Sequence, residues 1–362
     1  MANRVYNFNP GPAALPLPVL ELAQQELLDF KGSGMSILEV SHRSDLYQSV
    51  HQQTIENLRT LLTASDDFEI LFMTGGAQTQ FALVPMNLLP ATGFAQYLIT
   101  GSWSAYAFRE ATGLGDARTL WSSEADGFTH VPQAGDYCVD AGAAYLHYTT
   151  NNTIMGTQFK HVPTTGSVPL IADMSSDILS SHLDLSPYHV IYAGAQKNLG
   201  VAGVTLVLVR RQLLANCRSE LPAMLSYAQV AAKNSLLNTP PVYAIYLMGL
   251  VTQHLIAQGG MQTISQVNQQ KAARLYDTID RSGGFYTGHA ARESRSKMNV
   301  TFRLPSDELT GQFLQQTTRE GMVGLQGHRL LGGIRVSLYN AVPLAAVNAL
   351  TDLMLTFALK WG

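Results

Sequence analysis

The chemistry in this chain starts from a lysine. Lys197 closes the run His189-Val-Ile-Tyr-Ala-Gly-Ala-Gln-Lys197, and Asn198-Leu-Gly200 follows. The run opens with apolar and β-branched residues, the pattern of a buried strand. No carboxylate lies within seven positions of Lys197 on either side. An ammonium beside a buried strand is costly unless it is paired, solvated or chemically used. A solvated lysine at a strand end is the plainer reading. The chemical use would be nucleophilic, an amine adding to a carbonyl to form a Schiff base. Asp173 stands 24 residues upstream and closes a second apolar run, Val168-Pro-Leu-Ile-Ala-Asp173, before Met174-Ser-Ser176. Its plain reading is a helix N-cap.

A strand ending in Asp, a short connection and a strand ending in Lys is the layout of a pyridoxal-phosphate site. The cofactor aldehyde needs an amine, and its ring nitrogen needs a buried carboxylate to hold a proton there. Two parallel strands of one sheet would bring Lys197 and Asp173 to opposite ends of one ring. Thr74-Gly75-Gly76-Ala77 follows the predicted strand Phe68–Met73 and opens a helix. Such a turn presents backbone N–H groups and a helix N-terminus to an anion, although a plain tight turn accounts for the same residues. Basic residues gather in two places, His42 with Arg43, and His328 and Arg329 with Arg335. Any one of them alone reads as a solvated surface cation.

The motifs Tyr192-Ala-Gly-Ala-Gln-Lys-Asn198, Asn238-Thr-Pro-Pro241, Ser41-His-Arg43, Phe8-Asn-Pro-Gly-Pro12 and Gly327-His-Arg-Leu-Leu-Gly-Gly-Ile-Arg335-Val-Ser-Leu-Tyr-Asn340 occur in this order. Together they resemble the phosphoserine aminotransferases, class-V members of the fold-type I pyridoxal-phosphate enzymes, from about residue 6 to the C-terminus. The resemblance implies catalytic roles for Lys197 and Asp173. It implies cofactor contacts from Gly76, Ala77, Gln78, Trp103, Thr153, Gln196, Asn238 and Thr239, the last two reaching a neighbouring subunit of a homodimer. It implies Arg335 as the fork for a substrate α-carboxylate. His42, Arg43, His328 and Arg329 are then the ligands of a substrate phosphate. The implied reaction moves an amino group between L-glutamate and 3-phosphohydroxypyruvate to give O-phosphoserine and 2-oxoglutarate. 4-Phosphohydroxy-L-threonine, from pyridoxine biosynthesis, is a second substrate of the same layout. Some bacterial members carry arginine where this chain has Gln78.

Positioning such residues requires an α/β fold. Strand candidates Phe94–Thr100, Ala144–Tyr148, Val168–Asp173, Val190–Ala193 and Thr205–Val209 alternate with helical stretches, which predicts a mostly parallel sheet wrapped by helices. Helices are expected over 17–30, 46–63, from the Gly-Gly turn to about Leu89, and over 241–258. Gln258-Gly259-Gly260 reads as a hinge. Beyond it, helices at 261–282, 307–320 and 343–359 and strands at Met298–Arg303 and Ile334–Leu338 suggest a smaller α/β domain. The expected division is an arm over 1–16 associated with the small domain, a large cofactor-binding domain over 17–258 and a small domain over 259–362.

Composition narrows the classes. The 362 residues carry a net charge of −3 and 14% charged residues, well under the roughly 25% of average chains. That balance argues against a nucleic-acid surface, and a low charge fraction suits a surface covered by another subunit. Cys138 and Cys217 form no Cys-x-x-Cys, and no disulfide scaffold or clustered metal ligand set is expected. No signal-like N-terminus and no apolar run of about 18 residues predicts a membrane segment, so a cytoplasmic location is expected. Gly113-Leu-Gly115 lacks a third glycine, because Arg118 stands there, so no dinucleotide fingerprint exists. Two rivals on the same fold are a cysteine desulfurase, for which neither cysteine lies in a matching motif, and a non-enzymatic regulator, which would carry an added module.

Overall fold

Seven stretches pair into one sheet: β1 Phe68–Thr74, β2 Phe94–Ile99, β3 Asp116–Ser122, β4 Leu146–Thr149, β5 Leu170–Asp173, β6 Val190–Gly194 and β7 Val204–Arg210. The structure, a computed structural model, describes residues 4–362. Sheet order is β1-β7-β6-β5-β4-β2-β3. Only β7 runs antiparallel to its neighbours; the other pairs are parallel. Every residue of β4, β5 and β6 is buried, the continuous apolar pattern of strands covered on both faces. Helices α1 Leu17–Gln25, α2 Asp45–Leu62 and α5 Val242–Ala257 contribute to the apolar layer on one face. Helices α3 Ala77–Leu88 and α4 Ser102–Thr112 contribute to the layer on the other. Helices α2 and α5 approach so closely that a Cβ on Gly249 would lie 2.6 Å from Thr54 Oγ1.

The C-terminal part has its own core. Strands β8 Thr287–Gly288, β9 Asn299–Arg303 and β10 Ile334–Ser337 form an antiparallel sheet in that order. Helices α6 Gly260–Asp280, α7 Asp307–Arg319 and α8 Leu344–Trp361 pack on it around Leu275, Phe302, Phe313 and Leu350. Gly259 (φ +96°) and Gly260 (φ +65°) link α5 to α6 through backbone that glycine adopts without strain. Met261 and Ile264 of α6 belong to the first core, whereas Leu275 and Ile279 belong to the C-terminal one. Helix α8 is long and apolar enough to cross a membrane by length and composition alone. Its Val347, Leu350, Met354 and Phe357 instead fill the C-terminal core. Of the arm, the first three residues lie outside the described ones. Tyr6–Asn7 pairs in parallel with Met322–Val323, and Phe8 is fully buried in the C-terminal core.

Two stretches differ from the sequence expectation. The helix expected over 17–30 ends at Gln25. Phe30, which extended the apolar periodicity, instead packs edge-on against Tyr246 at 5.6 Å. It leads into a turn in which Asp29 Oδ1 accepts from the Gly34 N–H at 2.8 Å. Strand β3 was not among the expected strands, because it is a polar edge strand with an ion pair, Asp116 with Arg118 at 2.6 Å. Charged, exposed edges of this kind block further strand pairing.

The buried sheet sets one expectation. Ile191, fully buried in β6, should cost about 2–5 kcal/mol when cut to alanine, through lost transfer energy and the cavity left behind. Urea unfolding of Ile191→Ala at fixed ligand concentration should give a clearly lower midpoint. An unchanged midpoint would contradict this placement.

Candidate active site

Strands β5 and β6 are parallel neighbours, with Asp173 paired to Tyr192 in the register. Asp173 therefore ends one strand beside the exit of the next, and Lys197 follows three residues after Gly194. Both side chains line one cavity of about 110 Å³ at the carboxyl ends of the strands, where open α/β sheets place ligands. The Asp173 Oδ1 accepts from the Ser175 N–H at 2.9 Å, and Ser175 Oγ accepts from the Gly194 N–H at 3.1 Å. Burial pushes the Asp173 carboxyl up, while the Ser175 hydrogen bonds and the Lys197 charge pull it down. Lys197 Nζ donates to Thr153 Oγ1 at 2.9 Å. Burial pulls this amine down to about 8, Asp173 and Asp177 act against that, and the Arg335 charge adds to it. The site thus holds an amine that is partly neutral near neutral pH beside a carboxyl that burial raises and the Lys197 charge lowers. Asp177 is a second, half-buried carboxyl, pushed up to about 6 by desolvation and held by Thr150 and Gln158.

The other walls come from distant parts of the chain. Gly76 caps the start of α3 with no side-chain hydrogen bond, and Gly76, Ala77 and Gln78 line the cavity. Gly75 takes φ +108° and donates its N–H to Gly203 O at 3.0 Å, which fixes the turn. Trp103 projects from the first turn of α4, and Thr149 ends β4. Trp103 Nε1 and Thr149 Oγ1 are buried without a protein partner. Such groups at a cavity wall are paired in native structures by a bound molecule or water. The Gln196 side chain folds over Gly194. From above, the arm closes in: Ala13 N–H donates to Gln196 O at 2.9 Å. A Cβ on Gly11 (φ +135°) would stand 3.3 Å from Lys197 Cγ.

A second cavity of about 410 Å³ shares Gln78, Phe81 and Trp103 with the first. It adds Tyr106, Arg109, Glu110, Ile154, His328 and Arg329. Arg335, on β10, is 8% exposed, its Nε has no partner, and its charge acts on both Lys197 and His328. The fold therefore brings together Lys197, Asp173, Gly76, Ala77, Gln78, Trp103, Thr153 and Gln196. It sets His328 and Arg329 next door. His42, Arg43, Asn238 and Thr239 line neither cavity within one chain; Asn238 and Thr239 are exposed, and Asn238 borders a separate hollow with Thr74 and Thr79. A third cavity, about 440 Å³, lies between the arm and the α5–α6 junction and is lined by no lysine or carboxylate.

Sequence reasoning missed Thr149, Asn151, Phe81, Tyr106 and Arg109 as wall residues. Thr149 is recoverable only from the register, where it faces Asp173. Tyr106 and Arg109 lie three apart on one face of α4, with the Arg109 guanidinium 4.9 Å above the Tyr106 ring. That spacing is too common on helices to single them out.

Residues 5–350 match the aminotransferase class-V family. A phosphoserine aminotransferase of Geobacillus kaustophilus is 52% identical over 359 residues, 99% of either chain. The solved phosphoserine aminotransferase of Bacillus circulans subsp. alkalophilus superposes with a TM-score of 0.98 at 49% identity, covering 100% of both chains. A pyridoxal-phosphate-bound phosphoserine aminotransferase of Trichomonas vaginalis superposes with a TM-score of 0.91 at 34% identity, over 97% of this chain and 99% of that one.

The opposed charges predict a pH profile. The free amine is the nucleophile, so addition of Lys197 to pyridoxal phosphate, used as an aldehyde probe on cofactor-free protein, should accelerate as pH rises through about 8. Asp173 raises the amine, so Asp173→Asn should move that rise to lower pH. Stopped-flow absorbance from pH 6 to 10 measures both. A rise centred near the ordinary lysine value, or one that Asp173→Asn leaves in place, would contradict the coupling.

Proposed function

The chain belongs to the class-V aminotransferase family, on its phosphoserine aminotransferase branch, and from that premise we propose that it transfers the amino group of L-glutamate to 3-phosphohydroxypyruvate, reversibly, to form O-phospho-L-serine and 2-oxoglutarate. The observation that carries the reading is Lys197 facing Asp173 in a cavity that opens beside His328 and Arg329. The unpartnered Trp103 Nε1 and Thr149 Oγ1 at that cavity's wall fit a flat polar ring. Bound there, pyridoxal phosphate would supply a carbonyl for the Lys197 amine and an electron sink for the substrate carbanion. In this reading Asp173 keeps a proton on the ring nitrogen, while Gly76, Ala77, Gln78 and Gln196 hold the phosphate near the start of α3.

The chain's own residues then divide the remaining work. Lys197 Nζ, with its amine near 8, takes the proton from the amino acid's Cα, a base matched to neutral pH. Thr153 accepts from Nζ at 2.9 Å and holds it on one side of the site. Arg335 forks the α-carboxylate, and its burial strengthens that contact. His328 and Arg329 meet the distal group, which is a carboxylate in glutamate and a phosphate in the phosphorylated partner. His42, Arg43, Asn238 and Thr239 are assigned to the site of a second copy in a homodimer, since they line neither the Lys197 cavity nor the one beside it in their own chain. A fully active monomer in sedimentation would remove this part. The same pocket would take 4-phosphohydroxy-L-threonine, which has the same two anionic ends. The two separate cores support division into an arm, a large domain over 17–258 and a small domain over 259–362. The exposed free thiol of Cys138 suits the reducing cytoplasm.

Adding O-phosphoserine or glutamate to the cofactor-loaded protein should convert its absorbance from the carbonyl form to the amine form, with 3-phosphohydroxypyruvate or 2-oxoglutarate released. Lys197→Ala should abolish turnover. Conversion by glutamate but not by O-phosphoserine would overturn the substrate assignment, and a fully active Lys197→Ala would overturn the mechanism.

Gln78 lines both cavities and brings no charge. Charge-assisted hydrogen bonds are about twice as strong as neutral ones, and a phosphate carries nearly two charges at neutral pH. Gln78→Arg should therefore lower the KM for O-phosphoserine more than that for glutamate, and the gain should shrink with added salt. Equal changes for both substrates would place Gln78 outside the phosphate pocket.

A further inference from the structure

Lys271 is a second lysine in an unusual place. It lies on α6, is fully buried, and no carboxylate pairs with it among the described residues. Its Nζ instead donates to three main-chain carbonyls, Leu338 O at 2.8 Å, Tyr339 O at 2.9 Å and Val342 O at 3.0 Å. An ammonium has three donors and no acceptor, so the three carbonyls use it completely. Burial alone pulls this amine down to about 7, while three accepting oxygens favour the charged form. The carbonyls belong to the turn between β10 and α8, which leaves the small sheet just after Arg335. Removing the donors would strand Leu338 O and Val342 O and leave Tyr339 O with only the Val342 N–H at 2.9 Å, a cost that falls on this turn.

The turn touches the surroundings of Lys197 from two sides. On one side the Asn340 N–H donates to Asn198 Oδ1 at 3.0 Å, and Asn198 is the residue after Lys197. Asn340 is itself clamped, donating to Leu179 O at 2.7 Å and accepting from Asn268 at 2.8 Å. On the other side the Tyr339 hydroxyl donates to Pro10 O at 2.9 Å. Pro10 precedes Gly11, where an added Cβ would press on Lys197 Cγ at 3.3 Å. Both routes are unbroken chains of contacts only a few residues long.

We propose that Lys271 is a positioning residue for the Lys197 site: by tying the Leu338–Val342 turn together it fixes where Tyr339 holds the arm over Lys197 and where Asn340 holds Asn198. The proposal rests on the reading of Lys197 as the reacting amine. It adds a group outside both cavities that sets that amine's surroundings through the C-terminal core. Loosening the turn leaves the cavity walls of β4, β5 and β6 untouched but lets the arm and Asn198 shift, and displacements of about 1 Å around a reacting group cost up to about a hundredfold in rate.

Hydrogen exchange on the cofactor-free protein, together with steady-state kinetics of the loaded enzyme, tests this with Lys271→Met and Tyr339→Phe. In Lys271→Met, peptides covering 338–342 and 9–13 should exchange at least about tenfold faster, while peptides from β5 and β6 keep wild-type protection, the pattern of local rather than global opening. Its kcat for O-phosphoserine should fall about tenfold, with KM changed by less than about threefold, because Arg335, His328 and Arg329 stay in place. Tyr339→Phe should release only 9–13. Wild-type exchange at both segments overturns the proposal. So does uniformly faster exchange across the chain, or a loosened turn with wild-type kcat. Should Lys271→Met fail to fold, Tyr339→Phe decides: faster exchange at 9–13 with reduced kcat upholds the arm route, and unchanged exchange refutes it. If the wild type does not act on O-phosphoserine, the substrate reading fails, while the exchange result still decides whether Lys271 controls the arm and the turn.

Discussion

Everything at this site depends on the balance between burial and opposite charge at Asp173 and Lys197. Burial drives each group toward its neutral form, and each holds the other toward its charged form. Neither force alone gives useful chemistry. A fully solvated lysine stays protonated near pH 7, and burial with no compensating charge or acceptor drives a lysine toward its neutral form. The arrangement seen here leaves an amine near 8 and a carboxyl that burial has raised. Parallel strands make this possible, because β5 and β6 deliver their last residues to the same edge of the sheet, where backbone groups no longer pair and side chains can face a cavity.

The second requirement is that the C-terminal part be locked against that edge. Asn151, in the cavity wall, donates to Ser176 Oγ and to Asn299 Oδ1, both at 2.8 Å. Asn299, on β9, donates in turn to Ser337 and Tyr339. Thr301 donates to Ile154 O at 3.1 Å, and a Cβ on Gly156 would fall 2.9 Å from Asn299 O. This buried polar seam leaves almost no donor unused. It carries His328 and Arg329 to the wall of a cavity built largely by the other core, and Arg335 close enough for its charge to act on Lys197. Fully satisfied polar networks of this kind specify one arrangement of two packed bodies.

The parts of this architecture legible in the sequence are those that burial writes into the residue pattern. Asp173 and Lys197 each close an apolar run, so their strands and their facing ends could be read before any coordinates. The helices over 45–62, 242–257, 307–319 and 344–361 follow from periodicity within two residues at each end. Strand β3 was illegible because an exposed edge strand carries no apolar alternation. Phe30 misled because a buried aromatic in a turn has the same spacing as one on a helix. Lys271, within Gln269-Gln-Lys-Ala-Ala273, has the composition of a solvated helix face, and only tertiary packing puts it inside. Tyr106 and Arg109 share that limit. His42, Arg43, Asn238 and Thr239 stand apart from both cavities in the single chain, a separation that motif order alone does not reveal.

Three lysines have amines pulled well down: Lys197 to about 8 and Lys271 to about 7 by burial, and the surface-exposed Lys160 to about 8 by desolvation and the neighbouring Lys297 charge. A low pKa therefore does not by itself pick out the reacting amine. Lys160 spends its donors on Gln158 and on Arg295 O, Lys271 spends its own on three carbonyls, and only Lys197 lines the cavity with Asp173. The most direct test is to load the protein with pyridoxal phosphate, reduce it with borohydride and map the modified lysine by peptide mass spectrometry. A single adduct on the peptide carrying Lys197 is the predicted result; an adduct on Lys160 or Lys271, or label spread over surface lysines, would contradict the account.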